Sequence, residues 1–235
     1  MATEFYFGDS SGKARLVKNA YIGITSLKMT NMIPEINGTS GWNCTSGSMT
    51  TSTTYCKYST NSIGLIGSAS LPESHMETTT EIPMIAGHKY YVRAEVYFVD
   101  ADIRRNTCYW PIAEPNIWNT SSLGLSLSAN TWHLLAMVTD RGSAGFSSGN
   151  YPLRLDFDNN YKSGTMYVDG VMCIDLTAAY GAGNEPTQSW CNNNIPYFAG
   201  TKEFTGFNGG VPYARKITKA YLGDENGIAQ IVYQS

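Results

Sequence analysis

The chain is 235 residues long and carries a net charge of −3, with only 15% of its side chains charged and no cluster of Lys or Arg. That balance excludes nucleic acid or an anionic membrane as an electrostatic partner. Its apolar runs fall far short of the roughly 18 residues of a membrane span, while its length suffices to bury about 70% of the unfolded surface. Gly, Ser, Thr, Asn and Tyr are plentiful and strong helix formers are thin, a composition suited to short strands and turns.

Residues 1–25 open the chain with a hairpin unit, Tyr6-Phe7-Gly8-Asp9-Ser10-Ser11-Gly12, followed by Lys13-Ala14-Arg15-Leu16-Val17. The same unit returns near the other end, within 208–235, as Tyr221-Leu222-Gly223-Asp224-Glu225-Asn226-Gly227 running on to Ile231-Val232. Each reads as strand, Gly-Asp-x-x-Gly turn, strand. A hairpin this small is not stable alone in water, so the ends must pack on each other, on the main body or on a neighbour. Tyr6, Phe7, Tyr21, Tyr221, Leu222 and Ile231 are the candidate anchoring residues. The N-terminus has no basic region leading into an apolar core, and so no secretory signal.

The main body is expected over residues 26–207. Trp42 is a candidate core or rim anchor, and Thr45 to Thr60 reads as a polar strand pair or a long surface loop. Ser62 to Ser70 alternates weakly. The clearest strand is Tyr90 to Phe98, with Tyr90, Val92, Ala94, Val96 and Phe98 on one face and Tyr91, Arg93, Glu95 and Tyr97 on the other. Residues 100–121 read as a long connection carrying Tyr109, Trp110 and Trp118. Leu123, Leu125 and Leu127 alternate, as do Trp132, Leu134, Ala136 and Val138, with His133 on the outer side. Leu153, Leu155 and Phe157 point inward, leaving Arg154, Asp156 and Asp158 outward.

The stretch Thr165 to Cys191 opens as a strand with Met166, Val168, Val171 and Cys173 apolar and Asp169-Gly170 marking a turn or bulge. A loop with Gly181 and Gly183 leads to Thr187, a candidate cap for a short helix from which Trp190 would drop onto the sheet. The loop is not a dinucleotide fingerprint: the third glycine and the βαβ context are missing, and no Lys or Arg stands nearby. Residues 192–210 read as a polar linker. Strands at this spacing, without a helical period, predict an all-β, antiparallel jelly-roll β-sandwich with short β-hairpin extensions at both termini.

Catalysis finds little support. A glycosidase needs two carboxylates about 5 to 9 Å apart across a cleft, and acids at outward strand positions are ordinarily solvated. His75, His88 and His133 are scattered, and no serine has the nucleophile-elbow context. The five cysteines follow no CxxC spacing, which leaves zinc unsupported; Cys44 and Cys56 could pair across a hairpin. No cofactor is expected, and no loop has a diagnostic Ca²⁺-ligand spacing.

Two resemblances bear on function. The series Trp42, Ile85-Ala86-Gly87-His88-Lys89-Tyr90-Tyr91-Val92, Trp132, Leu153-Arg154-Leu155 and Tyr167-Val168-Asp169-Gly170 resembles carbohydrate-binding modules of the family 4/9 type over most of residues 31–175. The segment Asp175-Leu176-Thr177-Ala178-Ala179-Tyr180-Gly181-Ala182-Gly183-Asn184-Glu185-Pro186-Thr187 is similar to one common in structural and fibre-like proteins of tailed bacteriophages. The terminal hairpins also look like short repeats of such proteins. The resemblance to carbohydrate-binding modules further implies a structural Ca²⁺, for which Asp100, Asp102 or Asp175 are the candidate ligands.

Together these resemblances imply a non-enzymatic virion surface protein, a capsid decoration or head fibre. It would be made in the host cytoplasm, partnered by other virion proteins and further copies of itself, and able to bind host-surface glycan. A tail-fibre adhesin, or a glycan-binding module of a bacterial enzyme, are the alternatives. Sugars pair apolar CH faces with many hydroxyls, so aromatic and planar hydrogen-bonding side chains suit them. The candidate glycan-binding set is Tyr91, Arg93, Tyr97, Tyr109, Trp110, Trp118, Arg154 and Asp156, while Trp110 and Trp118 could instead fill the sandwich edge or a subunit contact.

Overall fold

A computed structural model describes residues 27–99, 104–109, 117–139 and 147–204 in full, together with the backbone of the strands lying outside those ranges. In chain order the strands are β1 Phe5–Gly8, β2 Ala14–Val17, β3 Tyr21–Ile22, β4 Ser26–Thr30, β5 Trp42–Ser46, β6 Ser48–Ser52 and β7 Ser62–Gly67. They continue as β8 Ser74–Thr78, β9 Ile82–Met84, β10 Lys89–Val99, β11 Asn106–Tyr109, β12 Trp118–Asn119, β13 Trp132–Asp140, β14 Gly149–Tyr151, β15 Arg154–Phe157 and β16 Gly164–Asp175. Two short helices follow, α1 Leu176–Tyr180 and α2 Gln188–Asn194, and then β17 Thr201–Thr205, β18 Arg215–Lys216, β19 Lys219–Gly223 and β20 Ala229–Gln234. The chain forms two compact units, residues 28–203 and residues 1–27 with 204–235.

The larger unit is an antiparallel jelly-roll sandwich. Its first sheet has the order β13-β10-β16-β7-β6 and its second β12-β11-β15-β8-β5. Period-2 alternation explains the layering. Tyr90, Val92, Ala94, Val96 and Phe98 of β10 face the core, as do Leu155 and Phe157 of β15, and Phe98 meets Phe157 with ring centroids 5.7 Å apart. Each of Val92, Val96, Phe98, Leu155 and Phe157, fully buried, contributes roughly 1.5–3 kcal/mol.

Between β10 and β16 the register shifts: Arg93 faces Met172 but Glu95 faces Asp169. The extra residue makes a β-bulge at Gly170-Val171, opposite Ala94 and directly after Asp169, with Gly170 at φ +59°. It lets Val168 and Val171 both reach the core, as the sequence pattern requires.

Several expectations are corrected. β5 and β6 do not pair with each other; they belong to different sheets, and the chain crosses between them at Gly47. Gly47 has φ +87°, and a Cβ there would lie 2.5 Å from Ser74 Oγ, so only glycine fits. Cys44 and Cys56 are separate thiols, donating to the carbonyls of Ser46 and Ser52.

Residues 100–121 contain β11 and β12 rather than a bare connection. Leu123 and Leu125 lie exposed in a turn region, and only Leu127 of that trio is buried. On β13 the phase is inverted: Leu135 faces the core, and His133, opposite Val96, lies on that same inner side. Residues 192–205 are not merely a linker, since α2 runs through Asn194 and β17 pairs with β4.

In the smaller unit β1 pairs with β2 and β19 with β20, both antiparallel. β3 pairs with β18, setting Tyr21 opposite Lys216. The candidate anchors Tyr6, Phe7, Tyr21, Tyr221, Leu222 and Ile231 lie on these strands, and their side chains fall outside the described residues.

Candidate functional site on the outer sheet faces

Because alternate side chains of β10 point away from the core, Tyr91, Arg93, Glu95 and Tyr97 form a row on the outer face of the first sheet. Their surroundings differ sharply. Tyr91 is fully buried, its hydroxyl donates to Asn192 Oδ1 of α2 at 3.0 Å, and burial pushes its pKa up to about 12. Arg93 is also buried and donates to Glu95 Oε1 at 2.8 Å. Lys57 meets the other oxygen of Glu95 at 2.8 Å. Tyr91 and Arg93, two of the candidate binding residues, are therefore covered by protein and structural.

Tyr97 stays half-exposed and stands in an aromatic belt. Its ring lies 5.5 Å from Trp132 of β13 and 5.1 Å from Tyr55, and Tyr55 stacks on Tyr167 of β16 at 4.5 Å. All four rings are partly exposed. The pleat accounts for three of them, since Trp132, Tyr97 and Tyr167 occupy directly opposed positions on adjacent strands. Gly64 of β7, opposite Tyr167, leaves the room its ring uses: a Cβ there would come within 2.9 Å of it.

The other candidates lie elsewhere. Tyr109, Arg154 and Asp156 are on the outer face of the second sheet, across the sandwich from Tyr97. Trp118 is in the core, 3% exposed, with its indole N–H donated to Asn106 Oδ1 at 2.6 Å. Trp110, Asp100 and Asp102 lie outside the described residues. The eight residues thus do not form one site. The belt members Tyr55, Tyr167 and Trp132 were missed, although Trp132 and Tyr167 had a signal in their strand alternation.

On the second sheet Arg154 donates to Asp156 Oδ1 at 2.7 Å, to Glu73 Oε1 at 3.0 Å and to His75 Nδ1 at 2.8 Å, while its guanidinium sits 4.8 Å over the Tyr109 ring. Burial raises the Asp156 carboxyl to about 7, against the pull of Arg154. Burial, then the charge of Arg154, lowers the pKa of His75, which fits a neutral ring accepting that bond. Glu73, Asp156 and Asp158 bring carboxylate oxygens within 4.8 Å of one another, a grouping that could hold a hard cation. Arg154 already binds two of the three.

The Gly181–Gly183 loop holds its own anion. Glu185 accepts from Thr177 Oγ1 at 2.7 Å and from the Gly183 N–H at 3.0 Å. Asp175, the third Ca²⁺ candidate, caps α1 through the Ala178 N–H and meets His88 Nδ1 at 2.8 Å. Thr187 caps α2 as expected, and Trp190 packs edge-on against Tyr180 with ring centroids 6.1 Å apart.

No family model matches the sequence, and no curated protein does. Among solved structures the fold is similar to a family 16 carbohydrate-binding module, at 14% identity and a TM-score of 0.44 over 62% of this chain and 100% of that one. It is similar to the family 11 carbohydrate-binding module from Clostridium thermocellum, at 10% identity and a TM-score of 0.41, covering 63% and 95%. It is also similar to the enzymatically active domain of tailspike protein 4 from bacteriophage CBA120, at 13% identity and a TM-score of 0.39, covering 57% of this chain and 19% of that one.

Proposed function

We propose that the chain is a non-enzymatic glycan-binding protein whose contact surface is the aromatic belt on the first sheet. The observation that carries this reading is the row of four touching, half-exposed rings, Trp132, Tyr97, Tyr55 and Tyr167, on one outer sheet face. Sugar rings present CH faces that stack on such a platform, and the open surface suits an extended chain. A binding rather than catalytic role is supported by the state of three buried or bonded acids, one beside the belt and two elsewhere on the sandwich. Glu95 is engaged by Lys57 and Arg93, Asp156 by Arg154 and Glu185 by Thr177, so none of the three is poised over an open cleft.

We place this activity on the surface of a bacteriophage particle, as a capsid decoration or head fibre. That placement rests on the likeness of residues 175–187 and of the terminal units to virion proteins. Many copies on one particle would turn weak sites into firm attachment.

The test is retention of purified chain on a panel of β-linked glucose, xylose and N-acetylglucosamine oligosaccharides and on host cell walls, with Tyr97→Ala and Trp132→Ala beside it. Each variant is expected to bind roughly tenfold more weakly, a tenfold loss being about 1.4 kcal/mol. Undiminished binding by both variants, or no retention of the parent chain on any sugar, would overturn the reading. Immunogold labelling of intact particles tests the location.

A further inference from the structure

Three belt rings are placed by strands, whereas Tyr55 comes from the loop 53–61, which crosses the outer face of the first sheet. Two buried features of the β10–β16 bulge hold that loop. Asp169, wholly buried, takes the backbone N–H of Lys57 at 2.7 Å and of Tyr58 at 2.9 Å on one carboxylate oxygen. Its other oxygen takes the Gly170 N–H at 2.6 Å. Gly170 itself makes room for the Tyr58 ring, since a Cβ there would lie 2.6 Å from two ring carbons. Seated in that space, the Tyr58 hydroxyl donates to Glu95 Oε1 at 3.0 Å and accepts from Arg93 at 2.9 Å. Nearer Tyr55, its N–H donates to Ser52 Oγ at 3.1 Å.

We infer that Asp169 and Gly170 are positioning residues of the ligand surface: the bulge clamps loop 53–61 so that Tyr55 stands ready against Tyr97 and Tyr167. This rests on the glycan reading of the belt. A carboxylate receiving backbone N–H groups makes strong charge-assisted bonds, and a loop so held loses little further freedom when a ligand arrives. Without the clamp the loop would have to be ordered at the moment of binding, and the platform would lack its central ring until then.

The experiment is a double-mutant cycle read by calorimetric titration, using the oligosaccharide of the panel that the parent chain retains best. Tyr55→Ala and Asp169→Asn are each expected to weaken binding at least fivefold. The double variant is expected to bind no more weakly than Tyr55→Ala alone, because Asp169 acts through that ring. A general structural role would instead multiply the two losses, which would overturn the inference. So would an Asp169→Asn variant at parental affinity, the Ser52 bond then sufficing. Gly170→Ala, which crowds Tyr58 while keeping the carboxylate, replaces Asp169→Asn in the cycle if that variant does not fold. Failure of both Tyr97→Ala and Trp132→Ala to matter would sink the belt reading itself, a result separable from failure of the clamp.

Discussion

The indole N–H of Trp118 ends on the side-chain oxygen of Asn106, one strand away in the second sheet. Asn106 returns the favour to the sheet by donating from Nδ2 to the Asp156 carbonyl at 2.8 Å. Both side chains are buried. Asn106→Ala would orphan a buried N–H and a buried carbonyl together, with an expected loss of about 1–3 kcal/mol for each. Urea unfolding followed by tryptophan emission measures it, and an unchanged midpoint would show that neither bond matters to stability.

Asn31 has a similar office beside β16. Its Nδ2 donates to the carbonyls of Val171 and Phe198, and its Oδ1 accepts from the N–H groups of Ile33 and Cys173. Every bond an asparagine side chain can make of this kind is made. Asn31→Asp keeps the shape but sets a carboxylate against two carbonyls, so it is expected to destabilise by several kcal/mol, more than Asn31→Ala. Denaturant midpoints of the two variants test the order; a carboxylate variant as stable as the alanine would contradict it.

Gly64 sits beneath Tyr167, and a methyl group there would meet both that ring and Thr50 at under 3 Å. Gly64→Ala is therefore expected to fold but to tilt Tyr167 away from Tyr55. The near-ultraviolet circular dichroism of the stacked tyrosines should fall while the far-ultraviolet signal stays. Equal near-ultraviolet spectra would mean that the ring tolerates the methyl group.

The acid cluster on the second sheet makes a pH prediction. Asp156 has a native pKa of about 7, well above the roughly 3.9 of an unfolded chain. Between those values the native state holds the extra proton, so this residue's contribution to stability falls as pH rises through that window. His75, with its pKa lowered by burial and Arg154, acts oppositely near pH 6.5 and below. The clean observable is the difference between parent and Asp156→Asn. Its melting temperature should vary less between about pH 4 and about pH 7, and parallel curves would show that Asp156 titrates normally.

The sandwich was legible because its central strands alternate cleanly. Tyr90 to Phe98 and Leu153 to Phe157 have the faces their sequence implies. β13 was read in the wrong phase because α2 and the belt make the outer face of that strand apolar too, and an edge strand with two apolar sides has no pattern to betray its inner one. The binding set failed for a different reason. Period-2 reasoning identifies which side chains leave the core but not which sheet carries them, so Tyr97 and Arg154 looked like neighbours. Tyr55 had no periodic signal: it lies in a loop between strands, and that loop is bonded at Lys57 and Tyr58 to a buried carboxylate more than a hundred residues later in the chain.

The pairing of β3 with β18 has a consequence for anyone who alters the molecule. Hydrogen bonds there join two segments far apart in the chain, Tyr21–Ile22 and Arg215–Lys216, into one small ladder. Deleting β3 would strip β18 of its partner, and deleting β18 would do the same to β3. A truncation that stops short of these two strands leaves their ladder whole, so β3 and β18 are kept or removed together.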